Sequence, residues 1–127
     1  MKPNVMLTIA SLLSLLLFMF HLTDDVLRQP EGANKWPGAV LIFVVWLCGT
    51  LLLSERVLGY IIMLLGGLLA ALMIVLHSKG LVVPKSGGFF FVWTLFALSA
   101  TGWLTAILSA RGLWMIVRAR RSGQPAS

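Results

Sequence analysis

Four apolar stretches constrain this chain more than any other feature: residues 5–22, 39–53, 57–76 and 89–110, which are 18, 15, 20 and 22 residues long. None of them contains Asp, Glu, Lys or Arg. A helix rises about 1.5 Å per residue, so roughly 20 apolar residues cross a hydrocarbon core about 30 Å thick. Inside a bilayer the backbone must satisfy its own hydrogen bonds, which leaves helices as the form for segments of this length. The expected fold is therefore all-α: an integral membrane, antiparallel four-helix bundle with both termini cytoplasmic.

Composition enters as a test of the alternative. Hydrophobic residues make up 59% of the chain and charged residues 11%, against roughly a quarter charged in soluble globular domains. A water-soluble fold of 127 residues could not hide that much apolar surface. The net charge of +6 does not point to nucleic acid, because the basic residues lie between and after the apolar runs. There they suit anionic headgroups and topology. Cys48 is the single cysteine; it excludes an internal disulfide and a CxxC redox site, and deep in a span it reads as apolar packing.

Punctuation sets the spans. Lys2 before an apolar run resembles a signal sequence, but the run is long and His-Leu-Thr-Asp-Asp follows it, so the first span is expected to be retained. Pro3 suits a first helical turn, and the helix should reach Arg28, before Gln29-Pro30-Glu31-Gly32. Trp36-Pro37-Gly38 opens span two. Only Ser54-Glu55-Arg56 separates spans two and three, which forces a tight hairpin, with Ser54 as the expected cap of span three. Gly80 suits the left-handed position after that span. A loop from 81 to 88 with Pro84 and Gly87-Gly88 precedes span four, which overhangs from Arg111 to Arg121. One four-span domain over 1–121 and a short flexible cytoplasmic tail over 122–127 are expected.

Orientation follows from the cations. One side carries Lys2, Arg56, Arg111, Arg118, Arg120 and Arg121; the other carries Arg28, Lys35, Lys79 and Lys85. The positive-inside rule puts the richer side, with both termini, in the cytoplasm. The expected location is multi-pass in a bacterial cytoplasmic membrane.

Small and polar residues mark helix faces that turn inward in lipid. Gly59, Met63, Gly66, Ala70, Met73 and His77 recur at helical spacing in span three, widened by Gly67 and Ala71. Gly59, Gly66, Gly67 and Ala70 form the expected packing face for a second copy or a larger membrane partner. Span one aligns Thr8, Ser11, Phe18, His21, Asp25 and Arg28. Span four supplies Thr94, Ser99, Thr101, Gly102, Thr105 and Ser109, whose hydroxyls are expected to bond to their own helix one turn back.

One polar cluster could carry chemistry. His21 is followed by Asp24 and Asp25 at three and four residues, so all share a helical face. In the expected topology His77 ends span three at the same level. Two imidazoles and two carboxylates there could hold a divalent metal or relay protons, and His21 and His77 could face across a haem; the plainer reading is a clamp at helix ends. Arg111, Arg118, Arg120 and Arg121, with Trp114, are expected to contact anionic lipid.

Known chemistries of small four-span chains are missing. There is no membrane-embedded Glu in span one, as in small multidrug exporters, and no CxxC pair, as in quinone-linked thiol oxidoreductases. No phosphate loop, HExxH or nucleophile motif appears, and no cofactor is expected. The functional expectation is a structural or accessory membrane protein whose partners are the lipid bilayer and either its own copies or a larger membrane protein. The alternative is a small proton- or cation-coupled transporter or channel subunit using the His21, Asp24, Asp25 and His77 cluster; an enzyme is the weakest reading.

Overall fold

The computed structural model describes residues 3–28, 36–77 and 88–123, and its described residues are almost all helical with no strand. The side chains of Pro3, Asn4, Asp25, Arg28 and Trp36 lie outside that description, as do Gly80 and the expected loop as far as residue 87.

Helix α1 runs Pro3–Arg28, α2 Trp36–Leu51, α3 Val57–Ala71, α4 Met73–Leu76 and α5 Gly88–Arg121. Two of them are long and apolar enough to cross a membrane, over Val5–Asp24 and Gly88–Arg121, while Pro37–Leu51 and Val57–Ala71 are shorter apolar helices. The ends of α1, α2 and α5 fall at the proline, tryptophan and arginine punctuation. Gly88 opens α5 at φ +59°, with open space around it; a residue with a Cβ would strain there.

Three local expectations are corrected. Ser54 does not cap α3: Arg56 stands at the N-cap in extended conformation and no side chain caps the helix. The turn closes instead through backbone bonds, with Arg56 N–H donating to the Leu53 carbonyl (2.9 Å) and Tyr60 N–H to the Arg56 carbonyl (3.1 Å). The third apolar run is not one helix either. It breaks at Leu72, and Met73–Leu76 continues as the short α4. Ser99 Oγ, expected to bond within its own helix, instead reaches across from α5 to the Ala70 and Ala71 carbonyls (3.3 and 3.2 Å). A side chain bonding to carbonyls at a helix end supplies donors that the backbone ladder no longer provides there.

α1 and α3 each lie against both α2 and α5, with a slighter contact between themselves. Contacts run in reverse sequence order: Ser11 meets Thr50 and Phe18 meets Trp46; Ser14 meets Thr105 and His21 meets Thr94. Between α3 and α5, Gly112 lies against Tyr60, Gly67 against Ala106, and Gly102 against Ala70. The core is Leu7, Leu15, Leu17, Phe18, Trp46, Tyr60, Met63, Ala70 and Leu98.

The distribution of polarity is the unusual feature. Ser11, Ser14, Thr50, Thr94, Ser99, Thr105 and Ser109 are buried, while Leu13, Leu16, Leu41, Leu65, Phe96, Trp103 and Ile107 are exposed. Among the described residues of α2 most are exposed, and only Trp46, Gly49 and Thr50 are buried.

Candidate functional site

The residues singled out in the sequence separate into two ends and a middle. At one end His21 is 2% exposed. Its ring stands edge-on to that of His77 with centroids 5.0 Å apart, and Phe91 lies 5.0 Å from His21 and 6.0 Å from His77. Three elements meet here, since His21 comes from α1, His77 follows α4, and Phe91 belongs to the first turn of α5.

Proton positions follow from the partners. Thr94 Oγ1 donates to the Phe90 and Phe91 carbonyls (2.9 and 3.0 Å). Its proton is thereby committed, so in the long 3.5 Å contact with His21 Nδ1 the imidazole is the donor. His77 Nδ1 lies 3.1 Å from the Met73 carbonyl; a carbonyl only accepts, so this nitrogen carries the proton as well.

Asp24 sits half-buried one turn beyond His21. Asp25 belongs to the same helix, and its side chain lies outside the described residues. Among the described residues no three His, Cys, Asp or Glu side chains group as a metal site. The rings of His21 and His77 touch edge to face, so no slot for a macrocycle lies between them. The three rings bring α1, α5 and the residue that follows α4 together.

The middle holds a feature that the sequence reading missed. Trp46 is 1% exposed although it sits in a strongly apolar helix. Its indole Nε1–H donates to Ser11 Oγ (2.9 Å), and Thr50 Oγ1 donates to the Trp46 carbonyl (2.9 Å). Thr50 has one proton and has used it, so Ser11 donates in the 2.7 Å contact between the two hydroxyls. Each donor thus has its own acceptor in a closed ring joining α1 and α2. A mid-span tryptophan was the available signal, because a buried indole N–H calls for a partner. Ser14 Oγ, also missed, lies 3.1 Å from Thr105 Oγ1. Both of those hydroxyls also point at carbonyls one turn back in their own helices, Ala10 and Thr101.

The glycine and alanine strip of α3 is occupied by this chain. A Cβ on Gly66 would lie 2.5 Å from the Trp46 ring, and one on Gly67 would lie 2.7 Å from the Ala106 backbone nitrogen. Gly59 accommodates the Leu53 carbonyl of the preceding turn, and Ala70 packs on Gly102. The expectation that a second chain docks through these four residues is therefore corrected: α2, α5 and the hairpin turn already fill the strip. Cys48, expected as packing, is exposed on the outer surface of α2.

At the opposite end from the histidines, Arg111, Arg118, Arg120 and Arg121 are all exposed on α5. The Arg118 guanidinium carbon lies 5.2 Å from the centroid of the Trp114 ring.

No protein-family model, curated protein or solved structure matches this chain.

Proposed function

We propose that the chain is a multi-pass membrane protein of structural or accessory type, an antiparallel four-helix bundle with both termini on the cytoplasmic side. The observation that carries this reading is the inverted polarity, with hydroxyls and an imidazole inside and leucine, valine, phenylalanine and tryptophan outside. In water, an apolar exterior of that extent is an aggregating surface. In lipid it faces a solvent of its own polarity, and buried hydroxyls become the glue between helices. α3 and α4 together span 57–76 and compensate for their interruption at Leu72; α2 reaches bilayer length with the turn that follows it. The chain acts as a homo-oligomer or beside a larger membrane protein, through a surface other than the α3 strip, which it fills itself.

The accessory reading is preferred to transport because the His21–His77 pair is packed against Phe91 rather than lining a polar cavity. The described cavities are apolar grooves of about 350 and 330 Å³, the first between α2 and α3 and the second between α1 and α2. A proton- or cation-coupled role for His21, Asp24, Asp25 and His77 remains the second reading, favoured by the burial of an ionisable ring at 2% exposure.

The test is extraction followed by substitution. The expressed chain should stay with membranes after alkaline carbonate washing and leave only with detergent; release by carbonate overturns the membrane reading. His21→Ala and His77→Ala should lower detergent-state melting temperature and yield. Variants that fold with wild-type stability but lose proton or cation flux in proteoliposomes would establish the second reading instead.

A further inference from the structure

The last three turns of α5 divide by exposure. Gly112, Leu113, Ile116 and Ala119 are half-buried, whereas Arg111, Trp114, Met115, Arg118 and Arg121 are exposed. At about 100° per residue, those five exposed residues fall within roughly one third of the helix circumference, and the exposed Val117 borders that sector. Arg120 projects from the opposite side. α5 contains no Asp or Glu along its whole length, and in the turn at this end the exposed Glu55 and Arg56 offset each other.

Balancing the negative end of the helix dipole is an ordinary role for cations in a last turn. It accounts for Arg118, Arg120 and Arg121 as a group. It does not account for Arg111, ten residues before the end, nor for three arginines sharing a face with an exposed tryptophan. Length supplies the other half of the argument. A helix of 34 residues is about 51 Å long, against a hydrocarbon core of roughly 30 Å and about 40–45 Å with headgroups. Its last turns therefore reach the headgroup layer, the level that tryptophan favours. Trp114 is 61% exposed, with the Arg118 guanidinium held over it one turn further out. A planar fork fixed in that way is matched to two oxygens of one phosphate.

We propose that this outward face binds the phosphate headgroup of an anionic phospholipid, with the Trp114–Arg118 pair at its centre and Arg111 and Arg121 on either side. The inference rests on the membrane reading above. Each arginine near an anionic surface is worth about fivefold in partition, so the face should select its lipid while Arg120 contributes little.

The experiment uses the full chain in nanodiscs of equimolar phosphatidylglycerol and phosphatidylcholine, released into neutral detergent, with retained lipid counted by native mass spectrometry. The wild type should retain phosphatidylglycerol at least fivefold over phosphatidylcholine. R118Q and W114L should each cut that preference about threefold or more, R118K should restore only part of it, and R120Q should leave it unchanged. Equal losses in R120Q and R118Q would reduce the site to diffuse charge and overturn the proposal, as would a wild type with no preference. Displacement of the lipid by an equal concentration of polyglutamate or a single-stranded oligonucleotide would assign the face to a soluble acidic partner, also overturning it. Retention in pure phosphatidylcholine nanodiscs through an alkaline wash separates the two failures: a chain that stays but shows no preference loses only this site, and one that leaves loses the membrane reading.

Discussion

Single side chains set how firmly the helices are joined, and the hydroxyls are not equivalent. Ser11 accepts from Trp46 and donates to Thr50, so removing it strands a buried indole N–H and a hydroxyl oxygen together. Ser14 and Thr105 each also have a carbonyl of their own helix to donate to, so their mutual contact adds little. Interhelical hydrogen bonds in lipid average about 0.6 kcal/mol and reach about 1.7. Ser11→Ala should therefore cost about 1–2 kcal/mol and Ser14→Ala less than about 0.5. Thr50→Val should overlap with Ser11→Ala rather than add to it, because members of one ring are coupled. Unfolding in mixed micelles with increasing dodecyl sulfate reads all four, the double variant included. Equal effects of Ser11→Ala and Ser14→Ala would mean that the ring carries no special weight.

At the scale of elements, the crossing of α3 on α5 is set by backbone rather than side chain. A Cβ on Gly102 would lie 2.6 Å from the Ala71 nitrogen and 2.8 Å from the Gly67 carbonyl oxygen, neither of which can rotate away. Gly38 has nothing within 4 Å. Overpacking of this kind costs about 1–3 kcal/mol, so Gly102→Ala should lower the thermal midpoint in detergent while Gly38→Ala leaves it in place. The same midpoint for both would contradict the close crossing. The crossing also shows what a sequence can convey. Gly66, Gly67, Ala70 and Gly102 announce close approach, because small residues have no other reason to recur at helical spacing. They do not say which helix approaches, and a strip that reads as a docking surface for another chain is filled from within. Helix ends were legible where proline, glycine or charge punctuates the run, as at Arg28, Trp36 and Arg121. The break at Leu72 was not, since no such residue marks it and its carbonyls are answered by Ser99, 27 positions later. Trp46 was unreadable for a related reason: in a helix apolar all round, periodicity gives no inward face, and only the indole N–H hints at one. For the candidate site, sequence spacing put His21 and His77 at one level of the expected topology and Thr94 on the inward face of span four, but nothing tied Thr94 to His21, and Phe91, which packs on both imidazoles, carries no pattern that points to it.

For the molecule as a whole, the question is which ends share a side of the bilayer. Tyr60 lies against Gly112, so the turn holding Ser54 and the end of α5 holding Ser122 belong to one end of the protein. Thr23 lies near the other, beside the level where His21 meets His77 and Phe91. Cys48 is the sole cysteine, and it sits three residues before the end of α2 at Leu51, about 4.5 Å along the helix. In the proposed arrangement it faces lipid, where a thiol is a poor nucleophile. A membrane-impermeant maleimide should leave Cys48 unlabelled in intact and permeabilised cells alike, which permits mapping in a Cys48→Ala background. Thr23→Cys should then label in intact cells, whereas Ser54→Cys and Ser122→Cys should label only after permeabilisation. That pattern follows from six cations on the Ser54 side against four on the other. The mirror-image pattern would keep the bundle and reverse its orientation, showing that so small a charge bias does not decide insertion. Labelling of Thr23→Cys and Ser54→Cys from the same side would break the antiparallel crossing itself, and the membrane architecture proposed for this chain would fall with it.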